Sequence, residues 1–186
     1  MPDYRRFRVE GGVYFFTVVT YRRRAVFHDA CARSLLREAI RTVCAGGAWS
    51  TEAMVLLPDH FHVIWRLPEG DSDYSRRLGL IKREFTKAYL AAGFSGLEVT
   101  PGEARKGYRG VWQVRFWEHT IRDARDFKMH LDYVHANPVK HGLARRPAEW
   151  EWSSFHRYVK LGKYDSQWCG RVDLPGEVEY FWPDPE

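Results

Sequence analysis

The stretch from Trp49 to Leu67 limits the fold more than any other part of the chain. Two runs rich in β-branched and aromatic residues, Trp49–Leu57 and His60–Leu67, are separated only by Pro58-Asp59. Proline presets its φ for a tight turn, and aspartate can hydrogen-bond its own backbone two residues on. The pair therefore reads as a reversal between two antiparallel strands. Side chains alternate along a strand, so His60 and His62 point to one face and Phe61 to the other. Two imidazoles on one face are offered to a single cation, while Phe61 anchors the strand in the core.

The remaining periodicities fit around this hairpin. Val13–Thr20, bounded by Gly11-Gly12, reads as a first strand. Asp29 is placed to cap a helix running to about Ala45, with Ala32, Leu35, Leu36, Ala39, Ile40 and Val43 on one face and Gly46-Gly47 at its end. Asp71-Ser72-Asp73 supplies caps for a second helix reaching about Ala92, whose apolar stripe is Tyr74, Leu78, Ile81, Phe85 and Tyr89. Residues 94–110 lack periodicity and read as a surface loop. Val111–Trp117 is expected as a fourth strand, and Asp123 to about Ala136 as a third helix with Phe127, Leu131 and Val134 in the core. The order predicts an α+β fold: an antiparallel β-sheet flanked by α-helices on a ferredoxin-like plan. Residues 1–171 are expected to form one domain, followed by an acidic tail over 172–186.

Net charge is +5 and the pI is about 9.2, which suits a polyanionic partner. The tail has five acids and no bases, so the body is more basic than the total suggests. Arg22, Arg23 and Arg24 follow the first strand, as phosphate contacts or as a solvated turn. Arg76, Arg77, Lys82, Arg83 and Lys87 lie off the apolar stripe of the second helix against the single Glu84, a distribution that favours nucleic acid. Aromatic residues make up 16% of the chain, and such rings can stack on unpaired bases. In the tail, Tyr180-Phe181-Trp182 among carboxylates could imitate single-stranded DNA and restrain the basic body. Three cysteines without C-x-x-C spacing point to a reducing cytoplasm rather than a disulfide framework. No signal peptide and no apolar run of membrane-spanning length is read, so no membrane partner is expected.

The third helix carries Tyr133 and, four residues later, Asn137, which share a helix face. Pro138 disfavours helical geometry at Asn137, so the pair is expected on the last turn. Two imidazoles and an amide oxygen would leave positions on a divalent cation for a phosphate oxygen, and a nearby phenol could attack the phosphorus. Two other classes stay open on the residues alone. One is a non-catalytic hairpin- or single-strand-binding module on the same fold; the other is a metal-dependent hydrolase using His60 and His62 with His119, His130 or His135.

Pro58-Asp59-His60-Phe61-His62 resembles the HUH motif (His, bulky hydrophobic, His) of single-tyrosine transposases. Its usual form there is Met-Pro-Asn-His-x-His, so Leu57 and Asp59 depart from it. The run Phe116-Trp117-Glu118-His119, His130-Leu131-Asp132-Tyr133-Val134-His135 and Asn137-Pro138-Val139-Lys140-His141-Gly142-Leu143, continuing to Trp152-Ser153-Ser154-Phe155, is similar to the REP-associated tyrosine transposases. The resemblance covers about Tyr14 to Tyr158. It implies an HUH endonuclease fold with His60, His62 and Asn137 as metal ligands, Mg²⁺ or Mn²⁺ as cofactor, and Tyr133 as nucleophile. It further implies cleavage of single-stranded DNA beside a repetitive extragenic palindrome (REP) hairpin through a 5′-phosphotyrosine intermediate. A cytoplasmic, nucleoid-associated monomer is expected rather than the helix-exchanging dimer of mobile relatives.

Overall fold

The computed structural model describes residues 8–170. The basic residues Arg5 and Arg6 and the acidic tail over 172–186 lie outside the described residues. The described residues form two compact units, one comprising residues 8–52 and 56–121, the other residues 53–55 and 122–170.

In the first unit β1 (Val13–Val19) is the central strand. It pairs antiparallel with β3 (His60–Arg66), from Val13↔Arg66 to Val19↔His60, and with β4 (Trp117–Ile121), from Val13↔Ile121 to Thr17↔Trp117. With β2 (Ser50–Leu56) the sheet order is β2-β3-β1-β4. Alternation gives β1 and β3 two different faces. Tyr14, Phe16 and Val18 with Phe61, Val63 and Trp65 form the apolar face, all buried. Phe16 lies 5.2 Å from both Trp65 and Tyr74 by ring centroids. Tyr74 opens α2 (Tyr74–Ala91), whose whole expected stripe is buried. Each such large side chain contributes about 1.5–3 kcal/mol over leaving it in water. The same register places His60, His62 and Thr17 on the opposite face.

Both long helices of this unit start where their caps require. Asp29 accepts from Ala32 N at 3.1 Å before α1 (Ala30–Ala45), and Asp73 accepts from Arg76 N at 3.2 Å before α2. The expected loop over 94–110 contains α3 (Pro101–Arg105), begun by a capping box between Thr100 and Glu103.

The fourth strand differs from its expected position. The apolar run from Val111 makes only an isolated bridge, Trp112 to Thr20, while Tyr21 N donates to Val111 O and Gln113 N to Val19 O. The regular strand is the more polar Trp117–Ile121. Its Glu118 is buried because Tyr74 donates to Oε1 at 3.1 Å, a partner 44 residues away that no local pattern announces.

In the second unit α4 (Ala124–Lys140) also departs from expectation, running through Pro138. Proline leaves one carbonyl without its usual donor, yet the final turn is well satisfied. His141 N donates to Asn137 O, Leu143 N to Pro138 O, and Gly142 N, at φ +66°, to Val139 O. Asn137 therefore lies inside the helix and is not its cap. α5 (Phe155–Lys160) follows a bridge between Val55 and Ser153, with Ser154 N donating to Met54 O at 2.8 Å. His135 of α4 is enclosed by Phe155, Tyr158 and Tyr164, with ring centroids 5.1–5.6 Å away.

Candidate active site

The two histidines of β3 stand side by side on one sheet face, as the strand period requires. Their ring centroids are 4.8 Å apart with planes at 84°. Both are buried, at 4% exposure for His60 and 3% for His62. Each ring is oriented through Nδ1. His62 Nδ1 is 2.8 Å from Thr17 Oγ1, its directly opposed neighbour on β1. His60 Nδ1 is 2.6 Å from Asp59 Oδ1. A metal would then be taken by Nε2 in both rings, with the Nδ1 partner fixing the ring plane. Burial pushes the Asp59 carboxyl up, but hydrogen bonding and charge from His60, then from Arg23, outweigh it and hold the group below the usual carboxylate range. His119 of β4 lies on this same face, opposite Phe15.

On α4 of the second unit, Tyr133 and Asn137 share a helix face at i, i+4 spacing. Tyr133 is half-buried, with the Lys140 ammonium 5.3 Å from its ring centroid. Asn137 is completely buried, and neither atom of its side-chain amide has a hydrogen-bond partner among the described residues. Leaving such a group unsatisfied costs about 1–3 kcal/mol, which a bound ligand would recover. An amide oxygen and an imidazole nitrogen are each donors that suit a divalent cation, the first on α4 of the second unit and the second on β3 of the first.

The other histidines of this helix each have a partner on one ring nitrogen. His130 Nδ1 is 3.0 Å from the buried Asp126 carboxylate. His135 Nε2 is 2.9 Å from Ser154 Oγ. Burial first, then the positive charges of Arg157, Lys128 and His156, push the His135 imidazole down to about 3, so it is neutral at physiological pH.

The expected DNA contacts divide by what they touch. Lys82, Arg83 and Lys87 line a groove of about 470 Å³ with Lys106, Tyr108, Arg109 and Trp112. Lys106 and Arg109 come from the aperiodic stretch, where nothing local marks them as groove residues. Arg76 and Arg77 do not line this groove. Arg77 is bound to Asp71 at 2.5 Å, whereas Arg76 is exposed. Of the three consecutive arginines, Arg22 is exposed, Arg23 pairs with Asp59 at 3.1 Å, and Arg24 donates to Ser95 O at 2.7 Å and Tyr89 Oη at 3.1 Å. No helix among the described residues is long and apolar enough to cross a membrane.

Comparison with known proteins places these features in a lineage. No family model matches the chain. The REP-associated tyrosine transposase of Escherichia coli (strain K12) is 40% identical over 172 residues, 92% of this chain and 93% of that protein. A relative from Haemophilus influenzae is 39% identical over 182 residues, covering 94% and 97% of the two chains. A REP-associated tyrosine transposase whose structure was solved bound to a REP hairpin superposes with a TM-score of 0.78 at 40% identity over 94% of each chain. With agreement over almost the whole length in both sequence and fold, the chain belongs to the REP-associated tyrosine transposases.

Proposed function

We propose that the protein cleaves and rejoins single-stranded DNA beside REP hairpins, using Tyr133 as nucleophile and His60, His62 and Asn137 as ligands of Mg²⁺ or Mn²⁺. The observation that carries this reading is Asn137, a fully buried amide without a hydrogen-bond partner among the described residues, one helical turn from the tyrosine. The hairpin partner is drawn from the solved relative.

A divalent cation at these ligands would draw charge from the scissile phosphate and orient it. The chain's residues do the rest. Tyr133 Oη attacks the phosphorus, the bond from phosphorus to the 3′ oxygen breaks, and the phenolic proton is balanced by the proton the departing 3′ oxygen takes up. The products are a 5′-phosphotyrosine and a free 3′-hydroxyl, and reversal of the step joins strands. Lys82, Arg83, Lys87, Lys106 and Arg109 hold the DNA by its phosphates, with Tyr108 offering a ring in the same groove. The protein acts as a monomer in the cytoplasm, at the nucleoid.

The test is covalent capture. Incubated with a hairpin-bearing single strand and Mn²⁺, the wild-type protein gives an adduct that survives denaturation. Tyr133→Phe removes one hydroxyl and keeps the ring, so it loses the adduct while binding changes less than about twofold. Cleavage that persists in Tyr133→Phe would mean a water nucleophile, and binding without any wild-type adduct would leave a hairpin-binding module.

A further inference from the structure

Asp59 is joined to its surroundings in two separate ways. Its backbone holds the local fold: Thr20 donates to Asp59 O from both N, at 2.9 Å, and Oγ1, at 2.8 Å, while Phe27 N donates to Pro58 O at 2.8 Å. None of these bonds uses the carboxylate. That group is spent differently, with Oδ1 2.6 Å from His60 Nδ1 and Oδ2 3.1 Å from Arg23 Nη1.

The direction of the first bond follows from chemistry. An ionised carboxylate has only acceptors, so His60 Nδ1 carries the hydrogen and donates it, which puts the ring's lone pair on Nε2. The Arg23 contact is itself built against a backbone preference. Arg22 and Arg23 both sit in the left-handed region, at φ 50° and 49°, where residues with a Cβ are disfavoured. Two strained residues in succession are kept in the turn that brings a guanidinium onto the far oxygen of Asp59. His62 has a weaker counterpart, the neutral hydroxyl of Thr17.

We propose that Asp59, held by Arg23, is a positioning residue for the metal site: its carboxylate fixes the plane and tautomer of His60 so that Nε2 meets the cation. The inference rests on the reading of His60 as a metal ligand. It makes the two histidines unequal, with His60 the more electron-rich donor because its partner is charged.

The test is Mn²⁺ affinity without DNA, measured by calorimetry, together with the ring tautomer of His60 in the metal-free protein from long-range ¹⁵N–¹H correlation spectra. Asp59→Ala is expected to weaken Mn²⁺ about 10- to 100-fold and to release His60 from the Nδ1–H tautomer. Asp59→Asn keeps an acceptor oxygen without the charge, so it retains the tautomer and loses about three- to tenfold in affinity. Arg23→Met, which leaves the Asp59–His60 bond in place, loses less than Asp59→Ala. His60→Ala separates the two levels. If it binds Mn²⁺ like wild type, the metal reading itself fails. If it loses Mn²⁺ while folded Asp59→Ala keeps wild-type affinity and tautomer, the positioning role is overturned and the metal reading stands. Should Asp59→Ala not fold, affinity within about twofold of wild type in Asp59→Asn overturns the proposal.

Discussion

His135 shows how far a single residue's environment can depart from what its neighbours in the sequence suggest. It lies two positions from Tyr133 and two from Asn137, yet aromatic rings enclose it and its imidazole has moved from 6.5 to about 3. The sign of the consequence is definite. Below pH 6.5 the unfolded chain takes up a proton that the folded chain refuses, so this contribution is intact above 6.5 and is lost as pH falls towards about 3. The slope is up to roughly 1.4 kcal/mol per pH unit. Urea midpoints at several pH values between 7.5 and 4.5 should fall with this slope in the wild type and be flatter in His135→Gln, which cannot titrate. An equal slope in both would assign the proton to another group. Asn137 was legible only as a residue type at the right spacing. That its amide is fully buried and unsatisfied depends on its surroundings in the fold. Asp59 was visible as a turn residue and as a departure from the usual motif, whereas its bond to Arg23 spans 36 positions.

At the scale of elements, α2 is the clearest case of one helix serving two purposes. Tyr74, Leu78, Ile81, Phe85 and Tyr89 face the core, and Lys82, Arg83 and Lys87 face the groove. The core stripe was expected from the helical period; of the five bases expected off that stripe, Arg76 and Arg77 do not line the groove. The other wall, Lys106 to Val114, was not expected: it joins the aperiodic stretch to the run from Val111 that was expected in the sheet, and it gains its place from bonds such as Lys82 Nζ to Gln113 O at 2.8 Å. Exposed Arg83 and Lys87 can be neutralised with little effect on stability, within about 0.5 kcal/mol. Arg83→Gln with Lys87→Gln should weaken single-strand binding for all sequences and reduce the log–log salt slope by about 0.7 for each phosphate no longer neutralised. Filter binding across a salt series measures it, and an unchanged slope would move the DNA off this helix. The helix limits of α1 and α2 were legible because caps and glycines are local signals. Strand β4 was not, because its buried Glu118 depends on Tyr74 of another element.

For the whole molecule, the metal reading has a thermodynamic consequence independent of DNA. A ligand that binds only the folded chain stabilises it by about 2.7 kcal/mol at a hundred times its Kd. In a chain of this size that raises the melting temperature by about 5–10 °C. Scanning calorimetry with and without Mn²⁺ should show this rise in the wild type and lose it in the protein carrying both His60→Ala and His62→Ala. A rise that persists in the double variant would place the cation elsewhere.

What the sequence determined by itself was local: the hairpin at Pro58-Asp59, the shared face of His60 and His62, the core stripe of α2, and the pairing of Tyr133 with Asn137 at one helical turn. Each follows from a period of two or 3.6 residues, or from a cap or turn residue acting on its immediate neighbours. Tertiary structure decided which polar residues are buried and what they touch. Glu118 meets Tyr74, Arg23 meets Asp59, and Asn137 is enclosed without a partner among the described residues. The physical reason is that a polar side chain shows no periodicity of its own, and its burial becomes tolerable only when a residue distant in the chain, or a ligand, satisfies it.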